Sequence, residues 1–130
     1  MIILDASVLI AHLDADDAHH QRAQRLLADA ARESLAASPL TLAEVLVAPA
    51  HAGMLDRAGA ALRHLALATI PMGDEAPLRL AVLRAGTNLK LPDCCVLLAA
   101  ETAEAAIATF DTHLARVATE YGHLVLGPSL

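Results

Sequence analysis

Short apolar segments alternate along the chain with longer segments whose apolar residues recur at helical spacing. A short continuous apolar run is typical of a buried strand in a parallel sheet, whereas apolar residues three or four positions apart indicate an amphipathic helix. On this basis we predict strands at residues 2–4, 35–37, 67–70, 106–110 and 124–126. Helices are predicted at residues 7–13, 18–32, 39–48, 54–65, 75–89, 93–104 and 111–119.

The order of these elements predicts βαβ units, and therefore an α/β fold with a mostly parallel central sheet of four to five strands. Helices on both faces of such a sheet give a three-layer αβα arrangement. Residues 1–130 contain no linker and no internal repeat, so we expect a single domain. In open sheets of this kind, ligands bind beyond the carboxyl ends of the strands.

Several helices carry more specific expectations. In helix 18–32, Arg22 and Arg25 are expected to point outward as part of a solvated face, with RNA contact as the alternative. In helix 75–89, Leu78, Val82 and Ala85 are expected to point inward. Pro49 is expected to end helix 39–48, because proline lacks the N–H that a helix interior requires.

Four acidic residues stand in apolar surroundings, far apart in the sequence: Asp5, Glu44, Asp93 and Asp111. Surface acids usually have polar neighbours, and ionised carboxylates are almost never fully buried without a partner. Asp5 and Asp111 follow predicted strands directly, at the edge of the sheet where ligands bind. The pattern therefore indicates one shared site.

Helix capping is the competing explanation for three of these acids. Asp5, Asp93 and Asp111 each stand near the start of a predicted helix, where aspartate is a favoured cap. Glu44 lies within a helix and cannot be a cap. Capping and metal binding are also compatible, because a carboxylate at a helix start can accept backbone hydrogen bonds and still face a cleft.

Electrostatics indicates what a shared site would need. Two unit charges about 4 Å apart repel by about 4 kcal/mol at an effective dielectric constant of about 20. Converging carboxylates therefore require a cation, and hard Mg²⁺ or Mn²⁺ ions prefer oxygen ligands of this kind. Such ions usually serve phosphate chemistry, in which the metal activates a water molecule and stabilises charge on the phosphate. A nuclease is the resulting hypothesis.

Composition restricts how the chain could meet a nucleic acid. The 130 residues carry a net charge of −6 and only 2% aromatic residues, which argues against a generally basic binder and against aromatic base-stacking platforms. A local basic patch or a metal must serve instead. Arg116 and His20 are candidates for substrate contact, with an ion pair for Arg116 and simple solvation for His20 as the alternatives.

The cysteines and the hydropathy bear on location. Cys94 and Cys95 are adjacent and no other cysteine is present, so a disulfide framework is excluded and a reducing compartment is expected. No apolar stretch approaches the roughly 20 residues of a membrane span, and the N-terminus lacks the basic region of a signal peptide. We therefore expect a cytoplasmic protein without membrane contact.

The chain resembles the PIN domain family and, more narrowly, the VapC-like ribonuclease toxins of type II toxin–antitoxin modules. The resemblance extends over essentially the full length, in matching order and spacing. The matching stretches are residues 3–11 (ILDASVLIA), 38–46 (SPLTLAEVL), 89–93 (LKLPD) and 108–114 (ATFDTHL).

The resemblance implies a metal-dependent endoribonuclease that cleaves single-stranded RNA with Mg²⁺ or Mn²⁺. It implies that Asp5, Glu44, Asp93 and Asp111 hold the metal, with Asp111 at a position that varies within the family, and it assigns the hydroxyls of Ser7 and Thr109 to positions beside the acids. A homodimer and a cognate VapB-like antitoxin that covers the acidic groove are also implied. The alternative is a PIN-like module that binds protein or RNA without catalysis.

Overall fold

A computed structural model describes residues 1–128 of the chain. Five strands alternate with helices as predicted: β1 (Ile2–Leu4), β2 (Leu35–Ala37), β3 (Ala68–Thr69), β4 (Ala106–Ala108) and β5 (Val125–Leu126). The helices are α1 (Ala6–Leu13), α2 (His20–Asp29), α3 (Pro39–His51), α4 (Leu55–His64), α5 (Ala76–Thr87), α6 (Leu91–Ala103) and α7 (Thr112–Glu120).

All five strands form one parallel sheet in the order β3-β2-β1-β4-β5. β1 and β4 are therefore adjacent at the centre, with Leu4 paired to Ala108 at their carboxyl ends. This arrangement confirms the predicted α/β class and the parallel sheet. It also brings the residues that follow β1 and β4 to the same place on the sheet edge.

Helices cover the sheet on both faces and complete the three layers. Helices α1 to α4 pack on one face, in a cluster that includes Val8, Ala23 and Val45. Helices α5 to α7 pack on the other face through a cluster centred on α6. Every residue from 94 to 100 of α6 is buried, so this helix is the core of its layer and explains the apolar sequence that follows Asp93.

The prediction that Pro49 ends α3 is wrong. The helix continues past it to His51, and the Pro49 carbonyl accepts a hydrogen bond from the Met54 N–H at 2.8 Å. The proline lies close to the C-terminal end of the helix, so its missing N–H removes only one hydrogen bond of the final turns.

The inward orientation predicted for Leu78, Val82 and Ala85 is also wrong. Leu78 and Val82 are 74% and 72% exposed, and Ala85 is exposed as well. Ala76 and Leu83 are instead buried against α6 and its neighbours. α5 carries apolar residues around most of its circumference, so periodicity alone could not select the face that packs. The structure leaves one apolar face of α5 uncovered.

Within residues 1–128, no helix is long and apolar enough to cross a membrane.

Candidate active site

Asp5 lies at the point where β1 and β4 end side by side. Its backbone N–H donates to the carbonyl of Ala108 at 2.9 Å, which continues the ladder between the two strands by one residue. The Asp5 side chain is only 6% exposed. A carboxylate with so little contact with water must be stabilised by hydrogen bonds or by a cation.

Two hydroxyls hold the Asp5 carboxylate. Ser7 Oγ and Thr109 Oγ1 each donate to Asp5 Oδ2 at 2.7 Å. Both hydroxyl oxygens also accept backbone hydrogen bonds, Ser7 from the Phe110 N–H and Thr109 from the Asp111 N–H, each at 3.0 Å. These acceptor roles orient the two hydroxyl protons towards Asp5, so the carboxylate is fixed from β1, α1 and the end of β4 together.

Asp111 caps α7 as well as facing the site. Its Oδ1 accepts hydrogen bonds from the backbone N–H groups of His113 at 2.9 Å and Leu114 at 3.1 Å. The capping alternative considered for this residue is therefore correct. The side chain also lines the acidic cleft, so the cap and a role in the site coexist.

Asp93 is not the cap of α6. The helix begins at Leu91, and Lys90 occupies the N-cap position, which leaves Asp93 in the first turn. Burial is the largest cause that raises the pKa of Asp93, and together with the charges of Asp5, Asp111 and Glu44 it raises this pKa to about 6. Lys90 offsets part of the increase. The negative charges of all three other acids therefore disfavour the ionised form of Asp93.

Glu44 completes the acidic cleft from the opposite helix layer. It lies on α3 and is largely exposed, yet desolvation and then the charge of Asp5 raise its pKa. The cleft has a volume of about 420 Å³ and is lined by Glu44, Asp93 and Asp111. Asn88, Lys90 and His113 form the rest of its polar wall.

The donor set of this cleft fits a hard divalent cation. Carboxylates are the ligands that Mg²⁺ and Mn²⁺ prefer, and a cation would relieve the repulsion that raises the pKa of Asp93. The hydroxyls of Ser38, directly after β2, and Thr41, in the first turn of α3, are buried without a hydrogen-bond partner among residues 1–128.

The acids are nevertheless gathered loosely. Across the described part of the chain, no group of three or more His, Cys, Asp or Glu side chains is close enough together to hold a metal ion as it stands. Occupation of the cleft would require the carboxylates to move inward. Rotation of the exposed Glu44 and Asp111 side chains about their own bonds is the simplest such movement.

The two residues predicted from the sequence to contact substrate do not line this cleft. Arg116 is exposed on α7, and His20 donates from Nδ1 to the Ala11 carbonyl at 2.7 Å. Sequence reasoning instead missed Asn88, Lys90 and His113, which line the cleft. Lys90 could have been predicted to line the cleft, because it lies three residues before Asp93 at the start of the same helix.

The parallel αβα sheet places its acids at the carboxyl ends of the central strands, where open α/β folds bind their ligands. A family model for the PIN domain matches residues 2–120. The chain belongs to the PIN domain family. No curated protein matches the chain.

Solved structures support the same fold. A toxin–antitoxin complex from Klebsiella pneumoniae is 23% identical, with a TM-score of 0.74, and the match covers 99% of this chain and 98% of that one. Mycobacterium tuberculosis VapC20, described as a sarcin–ricin loop cleaving toxin, is 18% identical with a TM-score of 0.74 over 98% and 100% of the two chains. VapBC2 from Rickettsia felis, bound to promoter DNA, is 15% identical with a TM-score of 0.73 over 97% and 98%.

Proposed function

We propose that this protein is a metal-dependent endoribonuclease toxin of a type II toxin–antitoxin module. The observation that carries the proposal is the convergence of Glu44, Asp93 and Asp111, from distant parts of the chain, on one cleft. Burial and the charges of these acids and Asp5 raise the pKa of Asp93 there to about 6. A protein gains no stability from such mutual repulsion, so a cluster of this kind is expected to serve a cation. Membership of the PIN domain family supports the nuclease assignment.

The chemistry follows from the groups around the cleft. Asp5, Glu44, Asp93 and Asp111 would hold Mg²⁺ or Mn²⁺ directly or through water. When bound, the ion supplies an activated water molecule and stabilises charge on the phosphate. Ser7 and Thr109 hold Asp5 in one orientation, so that its Oδ1 stays available while Oδ2 is occupied.

RNA as the substrate is supported by two considerations. A structural relative, VapC20, is described as cleaving the sarcin–ricin loop. The cleft of this chain also carries Lys90, Asn88 and His113 on its wall, and these side chains provide hydrogen-bond donors for phosphate oxygens.

An antitoxin partner is supported by a groove beside the acids. The groove between α1, α3 and α4 has a volume of about 540 Å³ and is mainly apolar, with Ile10, Val45 and Met54 among its lining residues. Glu44 lines both this groove and the acidic cleft. A segment that binds in the groove would therefore extend to the acids, and two of the structural relatives are toxin–antitoxin assemblies.

A homodimer is supported by the uncovered face of α5. Leu78 and Val82 are one helical turn apart and largely exposed, so they form one apolar strip. Exposed apolar strips of this kind often mark protein interfaces.

The test is RNA cleavage by purified protein freed of antitoxin. Mg²⁺ or Mn²⁺ should permit cleavage, EDTA should abolish it, and Asp5→Asn should abolish it without loss of folding. Asp29→Asn, which removes an exposed acid at the far end of α2, is the control and should keep full activity. Full metal-dependent cleavage by Asp5→Asn would refute the assignment.

The alternative is a PIN-like module that binds protein or RNA without cutting it. The loose spacing of the acids within residues 1–128 favours this alternative. Calorimetric titration with Mn²⁺ separates the two, because a catalytic site must bind the ion and lose that binding in Asp5→Asn. Absence of binding in the wild type would favour the module.

A further inference from the structure

Two cationic side chains lie near the carboxyl edge of the central strands, Lys90 in the acidic cleft and Arg22 in a separate groove beside Phe110. Lys90 precedes α6, which packs on one face, and Arg22 lies in the first turn of α2, which packs on the other. Asp5 lies between these layers, at the ends of β1 and β4. Neither cation forms an ion pair with a carboxylate within residues 1–128.

Arg22 is held in place at the edge of the site, contrary to the solvated face expected for it. Its guanidinium carbon lies 4.7 Å from the centre of the Phe110 ring, and its Nη2 donates to the Gly127 carbonyl. Nη1 donates to His19 Nδ1 at 3.1 Å, since arginine has no acceptor. The side chain is half-buried and its position is fixed, while its remaining N–H donors are not used by these contacts.

The backbone around Gly127 makes this arrangement possible. Gly127 has φ +117°, and a Cβ there would collide with the carbonyl of Thr109. The absence of a side chain lets the chain after β5 approach Thr109 and Phe110, so the Gly127 carbonyl comes within reach of Arg22. Phe110 is itself joined to the site, because its N–H donates to Ser7 Oγ.

Lys90 stands on the other side of the acids. It is exposed at the N-cap of α6 and lines the cleft together with Glu44, Asp93 and Asp111. It is the only lysine of the chain. Because its ammonium group forms no ion pair with the acids beside it, it is free to bind an anion that enters the cleft.

We propose that Lys90 and Arg22 bind phosphate groups of a single RNA strand on the two sides of the carboxylates. This inference rests on the ribonuclease function proposed above. The protein carries a net charge of −6, so a polyanion needs local cations to approach the acids. A strand that runs along the sheet edge from α6 to α2 would meet Lys90 in the acidic cleft and Arg22 beside Phe110.

The salt dependence of RNA binding tests the proposal directly. Each phosphate contact to single-stranded RNA contributes about 0.7 to the slope of log K against log salt concentration. Binding of fluorescein-labelled oligo(U) is measured by anisotropy in EDTA, so that the RNA stays intact, from about 50 to about 200 mM salt. Lys90→Gln and Arg22→Gln should each reduce the slope by about 0.7, and the double variant by about 1.4.

The matched control is Arg63→Gln. Arg63 is exposed in the last turn of α4, just before β3 begins, and therefore lies at the opposite edge of the sheet. The Arg63→Gln substitution removes the same charge and should leave the slope unchanged. Arg22→Gln keeps a planar amide that can donate to the Gly127 carbonyl. If this variant still unfolds at a lower temperature than the wild type, the slope of the Lys90→Gln variant alone decides, because Lys90 is exposed.

RNA cleavage with Mn²⁺ distinguishes failure of the phosphate-binding inference from failure of the ribonuclease function on which it rests. A wild type that cleaves RNA while both variants retain the full slope overturns this inference and leaves the ribonuclease function standing. A wild type that neither binds oligo(U) nor cleaves RNA overturns the function itself. An equal loss of slope in Arg63→Gln shows a general charge effect and also overturns the inference.

Discussion

Thr109 Oγ1 donates a hydrogen bond of 2.7 Å to Asp5 Oδ2, although 104 positions separate the two residues in the chain. The same hydroxyl oxygen accepts the backbone N–H of Asp111 at 3.0 Å. A single buried hydroxyl thus links the first acid of the site to the start of the helix that Asp111 caps. The orientation of Asp5 depends on a residue at the far end of the chain.

Thr109→Val should reduce catalysis more than it disturbs folding. It keeps the shape of the side chain but leaves Asp5 with one hydroxyl and the Asp111 N–H without its acceptor, at a cost of about 1–3 kcal/mol. We expect RNA cleavage to fall by about 10- to 100-fold, as for other groups that orient a metal ligand. Thr119→Val is the control, because its hydroxyl donates only to Ala115 within its own helix. Equal rates in the two variants would contradict the prediction.

Asp93→Asn should stabilise the metal-free protein at neutral pH. The pKa of Asp93 is raised in the folded state from 3.8 to about 6, so the folded state binds the proton more tightly. Stability therefore falls as pH rises from about 4 to about 6, by on the order of 1–3 kcal/mol, and stays low above that range. Urea unfolding in EDTA at a series of pH values measures the effect. The variant should lose this fall in stability, and Asp29→Asn should keep it.

Mn²⁺ binding should weaken in acid. Since the pKa of Asp93 is about 6, the ion must displace a proton at lower pH, and its apparent affinity should fall up to about tenfold per pH unit below 6. At a concentration near 100 times its Kd, the ion should stabilise the protein by about 2.7 kcal/mol at pH 7. Thermal unfolding with and without Mn²⁺ tests both statements. A shift that is equal at pH 5 and pH 7 would argue against Asp93 as a ligand.

Filling the apolar groove should block the antitoxin and spare catalysis. Ala58 lines the groove on α4, and Ala58→Leu would occupy space that a bound segment needs. Ala60 is exposed on the same helix and does not line the groove, so Ala60→Leu is the matched control. Co-purification with the product of the neighbouring gene should be lost only in Ala58→Leu, while RNA cleavage by the free protein is unchanged. Retained co-purification would place the partner elsewhere.

A charge on the uncovered face of α5 should separate a dimer. Leu78→Glu and Val82→Glu introduce carboxylates into the apolar strip, and light scattering should then give the mass of one chain. Leu124 is 69% exposed outside this strip, so Leu124→Glu should leave the mass as in the wild type. A wild type that is already monomeric at high concentration would remove the basis for this prediction.

Local sequence patterns were sufficient to predict the order of the strands and helices. Short apolar runs mark the strands, and Asp5 follows the first of them, so its place at the carboxyl edge could be predicted from chain order alone. Capping by Asp111, the alternative to metal binding alone, follows from chain order in the same way, since the residues after it begin a helix. These predictions succeed because each depends on residues close together in the sequence.

The errors and omissions concern contacts between distant segments. The outward face of α5 depends on how α6 covers it, which the apolar pattern of α5 does not contain. Arg22 was expected in a solvated face, yet it rests on Phe110, because the chain around Gly127 approaches closely enough to hold it. The distances among the acids likewise depend on the packing of α3 against α6 and were not accessible from the sequence.

Because β1 and β4 are adjacent in the sheet, the acidic site can form only after both strands have been synthesised. Asp5 is translated well before its Thr109 partner and the strand beside it, which both follow Ala103 in the chain. A nascent chain that lacks β4 has neither the ladder that ends at Ala108 nor the hydroxyl that orients Asp5. The acidic site is therefore incomplete until β4 has been synthesised, however long α1 to α6 have been available.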